Sequence, residues 1–282
     1  MQMDDAGADL YLDLMKQVLT RALFLDEEVW ELDWTMWETR PWHKRLAVDV
    51  VQRTLGRTNW RLVRANPKPD RRATGGDWPP HAETMVGLSR LDNLHEVMRE
   101  VVKNDVPGDV IETGAWRGGS AILMRAALKA YGDRSRTVWV ADSFQGLPKP
   151  DSRYDVDTAD KHWTYGDLAV SEDQVRRNFE RYGLLDDRVQ FLAGWFEDTL
   201  PTAPIERLAV LRMDGDMYSS TWQVLESLYP KVSPGGYVIV DDYDLKGARQ
   251  AVLDYRGQHG VTSPIVDVDG HGAYWQVEPA GA

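Results

Sequence analysis

Apolar positions follow a helical spacing in some stretches of this chain and gather into short runs of strand length in others. Residues 10–25 place Leu10, Leu14, Val18 and Ala22 four apart, which predicts an N-terminal helix with one apolar face, free to meet another subunit. A second helix is predicted over 86–103. Beyond it, strand-length runs at 108–114 (GDVIETG), 137–143 (TVWVADS), 189–194 (VQFLAG), 208–214 (LAVLRMD) and 235–243 (GGYVIVDDY) are separated by helical stretches such as 119–131, 172–182 and 219–229. This alternation predicts an α/β fold around a mostly parallel sheet covered on both faces. The closing stretch SPIVDVDGHGAYWQV predicts two more strands joined by a turn at 269–272, which would finish a seven-stranded sheet with an antiparallel edge.

Two stretches fit neither period. Residues 30–60 carry Trp30, Trp34, Trp37, Trp42 and Trp60 among Arg and Lys, with a break at Pro41. They suit either ordinary core and interface aromatics or a cap over an amphipathic ligand. Residues 66–76 hold several breakers, including Pro67, Pro69, Gly75 and Gly76, and read as a mobile linker. The chain therefore divides into an N-terminal helical arm and linker (1–76) and an α/β domain (77–282).

Composition narrows the chemistry. A net charge of −12 argues against a nucleic-acid partner, because basic residues supply most of the affinity for a phosphate backbone. With no cysteine there is no disulfide, thiolate zinc site or thiol nucleophile, so a metal would need oxygen or imidazole ligands. No apolar run reaches the roughly 18 residues of a membrane span, and the acidic start lacks the basic region of a secretory signal, so the chain reads as cytoplasmic.

In open α/β sheets, ligands bind beyond the carboxyl ends of the strands. After the first strand comes Glu112-Thr113-Gly114-Ala115-Trp116, followed by Arg117-Gly118-Gly119. The glycines allow a tight turn and close approach of a ligand, while Trp and Arg in place of bare amides suit a cofactor without pyrophosphate. A plain strand-to-helix turn with a packed Trp is the alternative. Asp142-Ser143 ends the second strand, where a carboxylate commonly binds the two hydroxyls of a ribose, or else caps a loop or helix. Trp195 and Phe196 follow the third strand, either walling an adenine or packing in the core.

The fourth and fifth strands end in Asp214-Gly215-Asp216 and Asp241-Asp242. Four crowded carboxylates protonate or share a cation, and an all-oxygen acidic set favours Mg²⁺ over zinc; solvated surface acids are the alternative. Methyl transfer from a sulfonium to an alcohol needs the alcohol deprotonated, which a metal and a nearby carboxylate achieve together. Asp214, Asp241 and Asp242 are the expected metal ligands and Asp216 the expected general base.

Through HAETMVGLSRLDN, VPGDVIETGAWRGG, RTVWVADSFQGLP, GWFEDTLPTAPIERLAVLRMDGD and SPGGYVIVDDY, the chain resembles the TylF/MycF family of macrolide and noviose sugar O-methyltransferases. The resemblance implies a class I S-adenosylmethionine (SAM)-dependent, Rossmann-like fold, SAM and Mg²⁺ as cofactors, and homo-oligomers. It also implies a small-molecule glycoside acceptor from antibiotic biosynthesis, and ligand and base roles falling on the same four aspartates. Thr84 and Met85 of the HAETM stretch join the expected cofactor set. Residues 151–170 stand where the family has a lid, so His162, Trp163 and Tyr165, with Tyr243, are expected to meet the acceptor; the other histidines read as mostly structural or solvent-facing. The Trp-rich arm is longer than the family pattern and the DKHWTYGD stretch differs from it. A catechol-type O-methyltransferase acting on a phenolic diol and a non-catalytic scaffold with a SAM fold are the competing readings.

Overall fold

The computed structural model describes residues 4–31, 42–58, 60, 63–65 and 69–278. Helix α1 spans Asp5–Leu19 and is capped by Asp4, whose carboxylate accepts from the Gly7 amide at 2.8 Å. A two-stranded antiparallel ribbon of β1 (Val29–Glu31) and β2 (Val63–Ala65) brackets helix α2 (Trp42–Leu55), and α3 (Pro69–Thr74) and α4 (Leu88–Lys103) lead into the main sheet. Then β3 (Asp109–Thr113), α5 (Gly119–Ala130), β4 (Val138–Asp142), α6 (Glu172–Arg181), β5 (Val189–Ala193), α7 (Phe196–Thr199) and β6 (Leu208–Met213) follow. The chain ends through α8 (Tyr218–Leu228), β7 (Val232–Val240), α9 (Lys246–His259), β8 (Val266–Asp267) and β9 (Ala273–Gln276).

The seven-stranded sheet has the order β5-β4-β3-β6-β7-β9-β8, parallel except for the β7-β9 and β9-β8 pairs. The chain fills the sheet outward from β3 to β5, then crosses to the other side of β3 with β6. That reversal opens a crevice above the carboxyl ends of β3, β4 and β6. Side chains alternate between the two faces: Val138 and Val140 join one buried cluster, while Trp139 and Ala141 join the other. The expected mixed sheet with its antiparallel edge is therefore the one observed. No helix among the described residues is long and apolar enough to cross a membrane.

The N-terminal helix differs from expectation in place and in face. It ends at Leu19, followed by Arg21 at φ +56°, and it buries Ala8, Leu12, Met15 and Leu19 while Leu10 and Leu14 are 73% and 53% exposed. Helical geometry explains the choice. A strict four-residue spacing drifts about 40° around the helix at each step, whereas the 4-3-4 spacing of the buried set returns to within about 20° after three turns. The inward face is pinned by Lys16, which reaches Asp92 on α4 at 2.5 Å.

Residues 69–76 are not a free linker. They form α3 and a turn in which the buried Arg72 pairs with Asp77 at 2.8 Å and donates to the Thr20 carbonyl. In the Trp-rich stretch, Trp30 is buried on β1 and Trp60 is exposed, while Trp34 and Trp37, like residues 66–68, lie outside the described residues.

Because Leu12 is fully buried, Leu12→Ala is expected to lower the free energy of unfolding by about 2–5 kcal/mol. Urea unfolding measures this, and a loss under about 0.5 kcal/mol, the range of surface substitutions, would place α1 outside the core.

Candidate active site

The crevice above the strand ends is a cavity of about 440 Å³. Its floor begins with the turn after β3. Gly114 has φ +87°, and a Cβ there would lie 1.6 Å from the Asp214 carbonyl oxygen, so only glycine lets this turn and the loop after β6 approach so closely. Ala115 and Trp116 follow, and their amides donate to Asp142 Oδ2 at 2.7 and 3.3 Å. The Phe144 amide donates to Asp142 Oδ1 at 2.7 Å. Asp142 thus organises the loop as a capping carboxylate does. A carboxylate has about four acceptor positions, so one is left on Oδ1 for a hydroxyl in the cavity. Ser143, whose hydroxyl donates to the Gly146 carbonyl at 2.8 Å, shares this wall.

Glu112 and Arg212 sit directly opposite each other on β3 and β6. Glu112 accepts from Arg212 Nη1 at 2.6 Å with one oxygen and from the Ala121 amide of α5 at 2.8 Å with the other. Burial pushes its carboxyl up to about 8, against the opposing pull of Arg212. Glu112 lines the cavity floor and at the same time ties strand to helix. Thr113 is fully buried and stands outside the cavity lining. Thr84 and Met85 face the cavity, as do Trp116, Trp195 and Phe196. Phe196 serves both readings, since it also packs on a core cluster.

The acidic wall comes from the ends of β6 and β7. Asp214, Asp216 and Asp242 each place a carboxylate oxygen within 4.8 Å of the others, a grouping able to hold a metal ion. Burial first, then mutual repulsion among these acids, raises Asp214 and Asp242 well above the usual carboxylate range. Burial and the charges of Asp214 and Asp160 push Asp216 up to about 7. The cluster is thus short of positive charge, which a hard cation with oxygen ligands supplies.

Asp241 is held differently. Its Oδ1 accepts from Arg212 Nη2 and its Oδ2 from Arg90 Nη1, both at 2.6 Å, and Arg212 Nη1 also reaches Asp214 at 3.1 Å. The expected ligand set paired Asp241 with Asp214 and Asp242; the geometry groups Asp216 with those two and ties Asp241 to two guanidiniums. Asp216 itself has φ +56°, and its amide donates to Asp242 at 3.2 Å.

From residues 151–170, Asp151, His162 and Leu168 line the cavity. His162 lines it and pairs with Asp160 at 3.1 Å, a contact that raises the imidazole pKa. Trp163 and Tyr165 are outside the lining: Lys149 lies 5.5 Å over the Trp163 ring, and Tyr165 packs edge-on against Trp78 and His162. Tyr243 packs against the core, with the Arg249 guanidinium 5.2 Å over its ring.

Several wall residues had no role in the sequence reading. Arg90 was one apolar-helix residue among many, although an arginine beside HAETM is the visible signal. Gly75, Gly76 and Trp78 lay in or beside the supposed linker, yet all three line the cavity. His271, counted among the structural or solvent-facing histidines, lines it too and pairs with Asp244 at 2.9 Å.

Comparison with known proteins agrees with this architecture. The family described as macrocin-O-methyltransferase (TylF) matches residues 8–277. The mycinamicin III 3''-O-methyltransferase of Micromonospora griseorubida is 53% identical over 274 residues, covering 96% of this chain and 97% of that protein. The 8-demethyl-8-(2,3-dimethoxy-alpha-L-rhamnosyl)-tetracenomycin-C 4'-O-methyltransferase of Streptomyces olivaceus is 47% identical over 284 residues, 99% of this chain and 97% of its own. The solved structure of the O-methyltransferase NovP superposes with a TM-score of 0.81 at 44% identity, covering 96% of this chain and 99% of NovP. The chain therefore belongs to the macrocin-O-methyltransferase (TylF) family and is a SAM-dependent O-methyltransferase of class I fold.

Proposed function

We propose that this enzyme methylates a hydroxyl of a deoxysugar on a glycosylated natural product, as a tailoring step in antibiotic biosynthesis. The observation that carries the reading is one cavity in which the Gly114 turn and Asp142 face the acidic trio Asp214, Asp216 and Asp242. The names of the relatives support the acceptor class, since they act on mycinamicin III and on a rhamnosyl tetracenomycin.

Asp142 offers its remaining Oδ1 acceptor position to a ribose hydroxyl of SAM, and Trp195 and Phe196 offer aromatic surface to the adenine. Thr84, Met85, Glu112, Gly114, Ala115, Trp116 and Ser143 shape the rest of the donor site, with Thr113 supporting it from beneath. Asp214, Asp241 and Asp242 would hold Mg²⁺; each Asp241 oxygen has a second lone pair, so its arginine bonds leave room for coordination. When bound, the ion supplies positive charge that makes a coordinated hydroxyl more acidic. Asp216 takes the proton of the acceptor hydroxyl, and the fixed turn around Gly114 keeps donor and acceptor in line. Residues 151–170 form a lid that excludes water, with His162 toward the acceptor and Trp163, Tyr165 and Tyr243 shaping the surroundings. The exposed Leu10 and Leu14 of α1 serve assembly into a homo-oligomer.

Methyl transfer to a glycosylated antibiotic intermediate, followed by mass spectrometry, is expected to fall below detection in EDTA and to return with Mg²⁺; full turnover in EDTA would remove the ion from the mechanism. Asp216→Asn should keep SAM and Mn²⁺ binding by calorimetry while kcat drops by about 10²–10⁴-fold. Near-normal kcat would take the base role away from Asp216. Leu10→Asp is expected to shift the mass measured by light scattering toward the monomer, and an unchanged mass would exclude that face of α1 from the interface.

A further inference from the structure

Helix α8 begins two residues after Asp216, and the side chain of its own N-cap residue, Met217, makes no capping hydrogen bond. The cap comes from far away in sequence. Asp157, in a short helical turn over Asp155–Asp157, is 1% exposed; its Oδ1 accepts from the Tyr218 amide at 2.8 Å and its Oδ2 from the Ser219 amide at 3.0 Å. Space for this carboxylate is reserved on α9: a Cβ on Gly247 would lie 2.8 Å from Asp157 Oδ1 and 2.8 Å from the Tyr218 nitrogen. The contact is reinforced by the Tyr154 ring, 4.8 Å from that of Tyr218, which in turn stacks on Trp222.

We propose that Asp157 is a positioning residue for Asp216: by clamping the first turn of α8, the lid segment fixes the loop that carries the base. The proposal rests on the reading of Asp216 as proton acceptor. Asp216 occupies the left-handed region at φ +56°, a conformation that a residue with a side chain keeps only when its surroundings hold it. Its neighbours on the upstream side are fixed by Gly114 packing under Asp214. On the downstream side, the amides of Tyr218 and Ser219 are fixed by Asp157. The same lid segment is tied to the donor side of the cavity, where Trp116 Nε1 donates to the Asp167 carbonyl at 2.9 Å. One segment therefore spans from the Gly114 turn to the base loop, and seating it completes the geometry at Asp216.

Three variants test this: Asp157→Ala removes both acceptors, Asp157→Asn keeps one at nearly the same size, and Gly247→Ala forces the carboxylate and the Tyr218 amide apart from the side of α9. Because a Cβ at 247 would also press on the Tyr218 nitrogen, Asp157→Asn is the variant that isolates the carboxylate, and Gly247→Ala tests the packing around it. The measurements are amide hydrogen exchange over residues 214–221, SAM affinity by calorimetry, and kcat with a glycosylated acceptor. In Asp157→Ala and Gly247→Ala, exchange at Tyr218 and Ser219 is expected to rise by at least about 10-fold. Loss of alignment should lower kcat by about 10–100-fold, and SAM affinity should stay within about threefold. Asp157→Asn should fall between these variants and the parent. Unchanged exchange overturns the proposal, and so does faster exchange with kcat within about twofold of the parent, which would make Asp157 a structural cap only. If the parent enzyme transfers no methyl group to any glycoside, the functional reading fails by itself, while the exchange measurement still decides the clamp.

Discussion

Arg212 is almost wholly buried, and its guanidinium donates to carboxylates at the ends of three neighbouring strands: Glu112 on β3, Asp214 just past β6 and Asp241 just past β7. The planar fork of arginine reaches all three at once, which the single point charge of a lysine does not. Removing one partner from such a buried set costs about 3–5 kcal/mol, so the guanidinium holds the three strand ends together. Arg90 extends the network from Asp241 to Asp269 in the C-terminal hairpin turn. The rest of the cavity is built on this network.

Even with two arginines in place, acids outnumber bases around the cavity, since Asp216 and Asp242 add to the carboxylates that Arg212 and Arg90 bind. Burial first, and that excess second, raises the proton affinities of Asp214, Asp216 and Asp242. A sulfonium donor and a divalent cation are both positive, so the proposed ligands answer the field that the fold creates. Neutralisation and alignment thus come from the same side chains.

Alignment also depends on close backbone approach. Gly114 lets the turn after β3 lie against the Asp214 carbonyl, and Gly247 lets the Asp157 carboxylate lie against the start of α8. Both glycines bring segments far apart in sequence to within a side chain's width of each other. Part of the cavity lining, Asp151, His162 and Leu168 together with the turn at 74–78, comes from segments in which the chain departs from regular periodicity.

The sequence by itself determined the order of the strands of the main sheet, the antiparallel end of that sheet, and the acids at the strand ends, because all of these are local. A strand-length apolar run closed by Asp-Gly-Asp or Asp-Asp declares both its element and its exposed end. Tertiary structure decided the rest. Leu10 and Leu14 are as apolar as Leu12, and only packing against α4 and α5 selected which face of α1 is buried. Asp241 stands beside Asp242 in sequence, but only the fold shows that its carboxylate also accepts from Arg90, 151 positions away, and from Arg212. Residues 69–76 looked like a linker because α3 is short and its stabilising contacts, Arg72 with Asp77 and with the Thr20 carbonyl, include a partner from another part of the chain. Periodicity records what each segment prefers; ion pairs, buried faces and distant caps depend on which segments the fold brings together.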